Sequence, residues 1–254
     1  MLEIDLSNRV AVVTGATGEL GRVIARTLAR AGAAVALCYH RNEAKANELS
    51  TQLKGADAAT AVAQVDVTDL QSVSRMRAAV VKSLGPPDII VNNAVIQYKW
   101  THVLEQPPED YESQFQSCVL QNVFMAKAFV PDMIQKGWGR VIALNTECAM
   151  QCWETQSAYI SGKRGMDGVL RVLAREVGAH GVTVNQVAPG WTISENRPDT
   201  GSAFEKEYTE KIPLKRRGRE RDIANVVAFL ASDLAGYITG AYIPVCGGNV
   251  MPAI

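Results

Sequence analysis

Tyr159 and Lys163 stand four positions apart in a segment whose apolar spacing predicts a helix. Side chains at this separation lie on the same face of a helix. A free phenol has a pKa of about 10, which is too high for ready proton exchange at neutral pH, and a neighbouring ammonium lowers that value. The pair therefore predicts a general acid or base that exchanges a proton with a carbonyl or alcohol oxygen.

A hydroxyl group stands at the end of the strand predicted before this pair. Thr146 lies thirteen residues before Tyr159, shortly after an apolar run at 141–144 that predicts a strand. Its hydroxyl can donate and accept hydrogen bonds, although the branched side chain restricts its rotamers. The spacing alone assigns Thr146 no chemical role.

A glycine-rich string, Thr-Gly-Ala-Thr-Gly-Glu-Leu-Gly, occupies residues 14–21 between a predicted strand and a predicted helix. Glycines in this place let the backbone turn tightly and approach a pyrophosphate at the helix N-terminus. The string predicts a dinucleotide site, and a tight turn without a ligand is the alternative. Glu19 brings a carboxylate close to the expected phosphates, which it repels unless it points to solvent.

The end of the second predicted strand bears on the choice of cofactor. Its last residues, 38–41, are Cys-Tyr-His-Arg, and no acid is present to bind the hydroxyls of an adenosine ribose. Arg41 can instead bind a 2′-phosphate through charge-assisted hydrogen bonds. We expect NADP, with NAD as the less favoured cofactor; an Arg41 that only pairs with Glu43 or Glu48 is the alternative.

These groups are positioned by an alternation of apolar runs and amphipathic helical segments. Runs that are apolar on both faces predict a parallel sheet covered by helices, and right-handed crossovers then give a doubly wound α/β Rossmann fold. The predicted strands are 10–13, 34–38, 61–65, 89–91, 141–144, 182–184 and 241–245. The predicted helices are 20–31, 43–53, 72–84, 114–135, 157–177 and 222–231. We expect a single domain over 1–254, with an irregular substrate loop around 191–214.

The order and spacing of these motifs resemble the short-chain dehydrogenase/reductase family. Tyr159 and Lys163 match its catalytic pair. Thr146 stands where the family has a Ser that hydrogen-bonds the substrate oxygen, so the resemblance implies that role for Thr146; a strand-end residue without a chemical role is the alternative. The glycine string resembles Thr-Gly-x-x-x-Gly-x-Gly, with Glu19 at the middle glycine. The family's catalytic Asn, which helps to hold a water that links the lysine to solvent, falls on Cys118. A packed, catalytically silent Cys118 is the alternative.

The resemblance also implies a cofactor site along the whole chain. Asp66-Val67 resembles the pair that contacts adenine, residues 92–95 resemble the Asn-Asn-Ala-Gly string, and residues 189–192 resemble the Pro-Gly turn at the nicotinamide. Lys163 resembles the lysine that also holds the nicotinamide ribose. The expected cofactor-binding residues are Gly15, Thr17, Gly18, Glu19, Leu20, Gly21, Arg41, Asp66, Val67, Asn93, Ala94, Tyr159, Lys163, Pro189, Gly190 and Thr192.

Substrate identity is less clearly encoded. By the family layout the pocket draws on 96–100, 147–153 and 191–193, and the expected substrate residues are Gln97, Glu147, Trp153 and Trp191. Glu147 can receive a cation or hydroxyl of the substrate, or form a local salt bridge. The tryptophans can stack on a ring or simply pack. We expect a compact oxygenated substrate such as a keto acid, a sugar-like polyol or a cyclic ketone.

Composition argues against several other classes of protein. Lys plus Arg and Asp plus Glu both number 26, so the zero net charge disfavours nucleic-acid or anionic-membrane partners. Five scattered cysteines indicate neither a disulfide framework nor a zinc site and are typical of a reducing compartment. The acidic N-terminus does not resemble a signal peptide, and the longest apolar stretch, 31–39, is too short to span a membrane. We expect a cytoplasmic protein without a metal.

Two other functions remain open. Glu19, Val95 and Cys118 depart from the family pattern and are compatible with a weakly nucleotide-binding sensor or scaffold. A lyase or epimerase that reuses Tyr159 and Thr146 is the second. The intact Tyr159–Lys163 pair favours an oxidoreductase over both. The resemblance further implies a homotetramer or dimer, built through two long helices and the C-terminal strand.

Overall fold

The computed structural model describes residues 3–252, which form one parallel sheet of seven strands and a separate pair of short strands. The strands are β1 Val10–Thr14, β2 Ala34–Tyr39, β3 Thr60–Gln64, β4 Ile89–Asn92, β5 Gly139–Leu144, β6 Val182–Pro189, β7 Thr192–Ile193, β8 Gly218–Arg219 and β9 Tyr242–Val245. The large sheet has the order β3-β2-β1-β4-β5-β6-β9. The direction of winding reverses between β1 and β4, which opens a crevice at the carboxyl ends of the strands. The predicted doubly wound fold is confirmed.

Helices cover both faces of this sheet. They are α1 Glu19–Arg30, α2 Glu43–Lys54, α3 Leu70–Leu84, α4 Pro108–Gln114, α5 Gln121–Lys136, α6 Cys148–Gln151, α7 Ser157–Val177, α8 Ala203–Lys211 and α9 Glu220–Ala231. Successive strand residues point to opposite faces: Val13 packs in the core with α1 and α9, whereas Val12 packs in the core with α3, α5 and α7. Both cores are apolar, and they fix the strand ends that form the crevice. Within residues 3–252 no helix is long and apolar enough to cross a membrane.

The helix that carries Tyr159 and Lys163 has the predicted bounds, Ser157–Val177. Its buried apolar residues include Met166, Leu170 and Ala174, whose spacing of four places them on one face against the sheet. Burial of this face fixes the rotation of α7. The first turns of the helix, including both functional side chains, therefore project toward the carboxyl end of β5.

The predicted helix 114–135 is wrong as a single continuous helix. A π-helical turn, Phe115–Leu120, separates α4 from α5. In this turn the Gln121 side-chain amide donates to the Ser117 carbonyl at 2.5 Å, and the Asn122 amide donates to the Cys118 carbonyl at 2.6 Å. Side-chain donors that bind these carbonyls compete with the regular backbone ladder and widen the turn.

The predicted irregular loop around 191–214 contains regular structure. Its first residues pair with β8 in the small sheet, and α8 follows at Ala203–Lys211. A capping box starts α8, because Ser202 accepts from the Glu205 amide while Glu205 accepts from the Ser202 amide. The buried Glu205 also pairs with Arg217 at 2.6 Å. This segment is therefore fixed at both ends of α8 rather than an unstructured loop.

Candidate active site

The glycine-rich loop is joined to the end of β4 by a buried hydrogen-bond network. The Thr14 hydroxyl accepts from the backbone amides of Asn93 at 2.9 Å and Ala94 at 3.1 Å, and it donates to Gln121 at 2.9 Å. The Asn93 side-chain amide donates to the carbonyls of Thr14 and Gly15, at 3.0 and 3.1 Å. The structure thus brings the predicted residues Asn93 and Ala94 against the predicted phosphate loop.

The glycine-rich loop forms a tightly closed turn at the N-terminus of α1. Gly15 has a φ of +62°, and a Cβ on Gly21 would lie 2.2 Å from the Gly15 carbonyl oxygen. Gly18 is the N-cap of α1 and offers no capping side chain, so the first amides of the helix are left for another acceptor. Thr17 and Leu20 are half-buried in the same loop. This cradle fits a pyrophosphate.

Residues expected at the adenosine end lie at the ends of β2 and β3. Val67 is buried, and Asp66 accepts hydrogen bonds from the Thr68 amide at 2.9 Å and hydroxyl at 2.7 Å. Although burial works against it, these bonds and the nearby charges of His40 and Arg41 hold the pKa of Asp66 below its ordinary value. Arg41 is exposed, and no ion pair within residues 3–252 joins it to Glu43 or Glu48.

Tyr159, Lys163 and Thr146 meet at the carboxyl end of β5. Lys163 is buried, and its ammonium donates to the Leu144 carbonyl at 2.5 Å and lies 5.7 Å from the centre of the Tyr159 ring. Asn145 donates to the Lys163 carbonyl at 3.1 Å, which joins the strand end to α7. The Thr146 hydroxyl accepts from the Cys148 amide at 3.2 Å. The three predicted side chains thus converge.

The predicted lowering of the Tyr159 pKa by Lys163 is not seen in the structure. Burial raises the pKa of Tyr159, the nearby thiols of Cys148 and Cys118 raise it further, and the Thr146 hydroxyl opposes the rise. The physical reason is the direction of the ammonium. Lys163 binds a backbone carbonyl and lies over the phenol ring instead of contacting the hydroxyl. In this arrangement the Tyr159 side chain is a protonated phenol at neutral pH.

The turn after β6 carries the residues expected at the nicotinamide. Gly190 donates to the Val245 carbonyl at 3.1 Å, and a Cβ at this position would lie 3.0 Å from the Cys246 Cα. The Thr192 hydroxyl donates to the Gly190 carbonyl at 2.9 Å. The predicted Pro189-Gly190 turn therefore lies closely against the C-terminal segment, beside the ends of β5 and β6.

Comparison with known proteins identifies the family. A family model described as enoyl-(acyl carrier protein) reductase matches residues 15–249. The chain is 35% identical over 245 residues to the 3-oxoacyl-(acyl-carrier-protein) reductase of Staphylococcus epidermidis, covering 96% of this chain and 100% of the relative. The corresponding reductase of Pseudomonas aeruginosa is 34% identical over 249 residues, with 98% and 100% covered. The chain belongs to the short-chain dehydrogenase/reductase family.

Solved structures agree with this assignment. A short-chain dehydrogenase/reductase from Serratia marcescens, solved as a double mutant, superposes with a TM-score of 0.87 at 27% identity, covering 96% of this chain and 98% of that one. A protein from Agrobacterium tumefaciens has a TM-score of 0.92 at 23% identity, with 98% of each chain covered, and shows the same fold. As a member of the short-chain dehydrogenase/reductase family, the chain is an oxidoreductase.

Cys118 is the largest departure of this short-chain dehydrogenase/reductase from the expected catalytic set. The thiol is 1% exposed and contacts Gln114 Oε1 at 3.8 Å, within the π-helical turn. Its carbonyl accepts from the Asn122 amide at 2.6 Å, and Asn122 in turn accepts from Asn92 at 2.7 Å. These contacts describe a packed thiol whose carbonyl is already bound by a protein donor.

Two aromatic residues that sequence reasoning did not single out contact Tyr159 directly. The Tyr98 hydroxyl accepts from the Tyr159 backbone amide at 2.7 Å, which satisfies one of the free amides at the start of α7. The Trp100 ring stacks on the Tyr159 ring, with centroids 6.0 Å apart and planes at 24°. The signal in the sequence is a pair of aromatic residues two positions apart, shortly after the Asn-Asn-Ala string.

The predicted substrate residues divide into open and enclosed side chains. Gln97 and Trp153 are exposed, the latter at 38%. Trp191 is packed, with the Arg217 guanidinium 3.9 Å above its ring and Tyr208 at its edge. Glu147 is buried, and its oxygens accept from Tyr208 and Asn249, so its carboxylate is not free to bind a substrate. Both partners are neutral, and among residues 3–252 Glu147 does not form the local salt bridge that was the alternative.

The Glu19 carboxylate at the edge of the cradle is bound by side chains of its own helix and of a second segment. It pairs with Arg22 at 3.2 Å and accepts from the Asn196 side chain, which ties α1 to the segment after β7. Arg22 also pairs with Glu195 and, at 2.6 Å, with Glu220. The carboxylate at the family's glycine position is thus part of a charged cluster between three segments.

We expect Glu19→Gly to tighten dinucleotide binding about three- to tenfold, since it removes a partly exposed negative charge close to the phosphates. Nicotinamide fluorescence titration measures the dissociation constant. Glu207→Ala, which removes an exposed glutamate from α8, is the control and should leave that constant unchanged. An unchanged constant for Glu19→Gly would show that its pairing already neutralises the charge.

Proposed function

We propose that this enzyme transfers a hydride between NADP and a carbonyl or secondary alcohol of a small oxygenated substrate, with Tyr159 as the general acid or base. The observation that carries the proposal is the convergence of Tyr159, Lys163 and Thr146 at the crevice end of β5. The glycine cradle opens at the same ends of the strands. A dinucleotide bound there would supply the hydride.

In the direction of reduction, the carbonyl carbon gains the hydride and the carbonyl oxygen gains the phenolic proton of Tyr159. Thr146 donates its hydroxyl to the same oxygen and orients it. Burial keeps the phenol protonated, so the proton is available at neutral pH. Oxidation of the alcohol requires the phenolate and is therefore favoured by alkaline pH. Lys163 would hold the nicotinamide ribose, and its charge would stabilise the phenolate left after proton transfer.

The proposed residues for the cofactor follow the same layout. Gly15, Thr17, Gly18, Leu20 and Gly21 would hold the pyrophosphate, with Glu19 at their edge. Asp66 and Val67 would contact adenine, Asn93 and Ala94 would lie under the cofactor, and Pro189, Gly190 and Thr192 would bind near the carboxamide. Arg41 supports the preference for NADP. It is exposed just after β2, and β2 itself contains no acidic residue that could bind the ribose hydroxyls.

The test is titration with NADPH and NADH, followed by nicotinamide fluorescence. We expect tighter binding of NADPH, and we expect Arg41→Ala to weaken NADPH binding at least about tenfold while NADH binding barely changes, because only NADPH carries the 2′-phosphate. Arg30→Ala, an exposed arginine at the far end of α1, is the matched control.

Each other outcome of this titration favours a different reading. A clear preference for NADH would contradict the role of Arg41. Saturable binding of neither dinucleotide would favour a sensor or scaffold. Binding without hydride transfer to any carbonyl would favour a lyase or epimerase. The carbonyl panel should contain keto acids, cyclic ketones and sugar-like substrates, together with a 3-oxoacyl thioester, since that group appears in the names of the similar reductases.

We also propose that the enzyme is a cytoplasmic homo-oligomer, a dimer or tetramer. Its five free thiols suit a reducing compartment. The face formed by the π-helical turn and α7 exposes apolar side chains, among them Phe115 at 52% and Val172 at 55%. Apolar side chains of this size on an exposed helical face are typical of an interface between subunits. Sedimentation velocity measures the state of assembly.

A further inference from the structure

Glu147 is a buried acid that the proposed chemistry does not use. It follows Thr146 directly and is 2% exposed, and in the described part of the chain its hydrogen-bond partners include no cation. The Tyr208 hydroxyl donates to Oε1 at 2.5 Å, and the Asn249 amide donates to Oε2 at 3.1 Å. A buried carboxylate is costly unless such donors satisfy it, so the site depends on both partners.

The two partners come from segments that are distant in the sequence. Tyr208 lies on α8, in the segment expected to cover the substrate, and Asn249 follows β9. The Tyr208 hydroxyl also accepts from the Trp191 backbone amide at 2.8 Å, and its ring meets the Trp191 ring edge-on with centroids 5.2 Å apart. Glu147 thus begins a chain of contacts that reaches the nicotinamide turn.

The carboxylate also fits closely against that turn. A Cβ at Gly190 would lie 3.1 Å from Glu147 Oε2, so the space between this turn and the acid is too narrow for a larger residue without adjustment. On its other side, the Tyr242 hydroxyl donates to the Thr146 carbonyl. Four chain segments therefore meet around residues 146 and 147, at the strand end that carries the Thr146 hydroxyl.

We propose that Glu147 is a positioning residue, which holds the segment 191–214 and the C-terminal segment against the strand end that carries Thr146. This inference rests on the proposed function, because it makes the covering of the substrate depend on one carboxylate. Loss of the acid frees Tyr208 and Trp191, and the substrate is then held less firmly. Proton transfer from Tyr159 and the phosphate cradle are left intact.

The test compares Glu147→Ala, Glu147→Gln and Tyr208→Phe with the control Glu207→Ala, whose exposed carboxylate pairs with Lys211 on the same helix as Tyr208. For Glu147→Ala we expect the KM for the carbonyl substrate to rise at least about tenfold, with kcat and the NADPH dissociation constant within about threefold of the native enzyme. In Glu147→Gln we expect the KM to return most of the way to the native value. The oxygen of the introduced side-chain amide can accept a hydrogen bond from the Tyr208 hydroxyl. The Asn249 side chain can rotate so that its oxygen accepts a hydrogen bond from the nitrogen of the introduced amide.

A second measurement does not need turnover. Hydrogen exchange of the α8 amides should accelerate in Glu147→Ala and Tyr208→Phe and remain native in Glu207→Ala. If the native enzyme reduces no carbonyl, the proposed function fails, while exchange still decides whether Glu147 holds α8. Should Glu147→Ala not fold, Tyr208→Phe removes a single hydroxyl and gives the same comparison.

Three results would overturn the inference. The first is an unchanged KM together with unchanged exchange in α8. The second is a loss confined to kcat, which would place Glu147 in the chemical step. The third is a Glu147→Gln variant as impaired as Glu147→Ala, because the proposed role of Glu147 depends on its hydrogen bonds and not on its charge.

Discussion

Replacing Tyr159 with Phe is expected to lower kcat for carbonyl reduction by about a thousandfold while the NADPH dissociation constant changes less than twofold. The substitution removes the proton donor and keeps the ring that stacks on Trp100. General acid catalysis typically contributes about 10²–10⁴ in rate, which sets the size of the effect. Steady-state reduction and fluorescence titration measure the two quantities on the same preparation.

Tyr111→Phe is the matched control for this substitution. The Tyr111 hydroxyl contacts the Ser157 hydroxyl at 2.7 Å, at the start of the same helix, so the control loses a comparable hydrogen bond. We expect its kcat to remain within about threefold of the native value. Turnover that survives in Tyr159→Phe would assign proton transfer to another group, and an equal loss in both variants would point to disruption of α7.

Replacing Gly21 with Ala should nearly abolish dinucleotide binding, with a dissociation constant at least about a hundredfold higher and a lower melting temperature. The added Cβ would lie 2.2 Å from the Gly15 carbonyl oxygen and 2.9 Å from the Asn93 side-chain nitrogen. The closer atom belongs to the backbone, so relief requires a shift of the phosphate loop itself. Overpacking of this kind typically costs about 1–3 kcal/mol of stability.

Two other glycines provide graded controls. A Cβ on Gly18 would lie 3.2 Å from the same Gly15 carbonyl, so Gly18→Ala should have a clearly smaller effect on binding. On α7, a Cβ on Gly168 meets nothing within 4 Å, and Gly168→Ala should leave binding unchanged and slightly stabilise the helix. Equal dissociation constants for Gly21→Ala and Gly168→Ala would contradict the proposed cradle.

The sequence was most informative where structure depends on local pattern. The bounds of α7 could be predicted because its apolar residues recur at helical spacing. The parallel sheet could be predicted because its strands are apolar on both faces. The start of α8 was missed although its signal is present, since Ser202 and Glu205 have the spacing of a capping box. The π-helical turn depends on the side-chain bonds of Gln121 and Asn122, which the apolar pattern does not contain.

Properties that depend on distant partners were beyond the sequence. Glu147 was expected in the substrate pocket because it follows Thr146. Its partners, Tyr208 and Asn249, are 61 and 102 positions away and become neighbours only through the fold. The pKa of Tyr159 is a similar case. Whether this pKa is raised or lowered depends on burial and on where the Lys163 ammonium points, and neither follows from the spacing of the two residues.

The cluster around Arg22 has a consequence for how a dinucleotide reaches the enzyme. Three carboxylates, those of Glu19, Glu195 and Glu220, surround the single guanidinium of Arg22, so this cluster of four side chains carries excess negative charge at the rim of the crevice. An approaching polyanion is repelled over about one Debye length, roughly 8 Å at physiological ionic strength. Electrostatic steering therefore works against capture at this rim, and affinity has to come from short-range contacts made after the phosphates reach the helix amides.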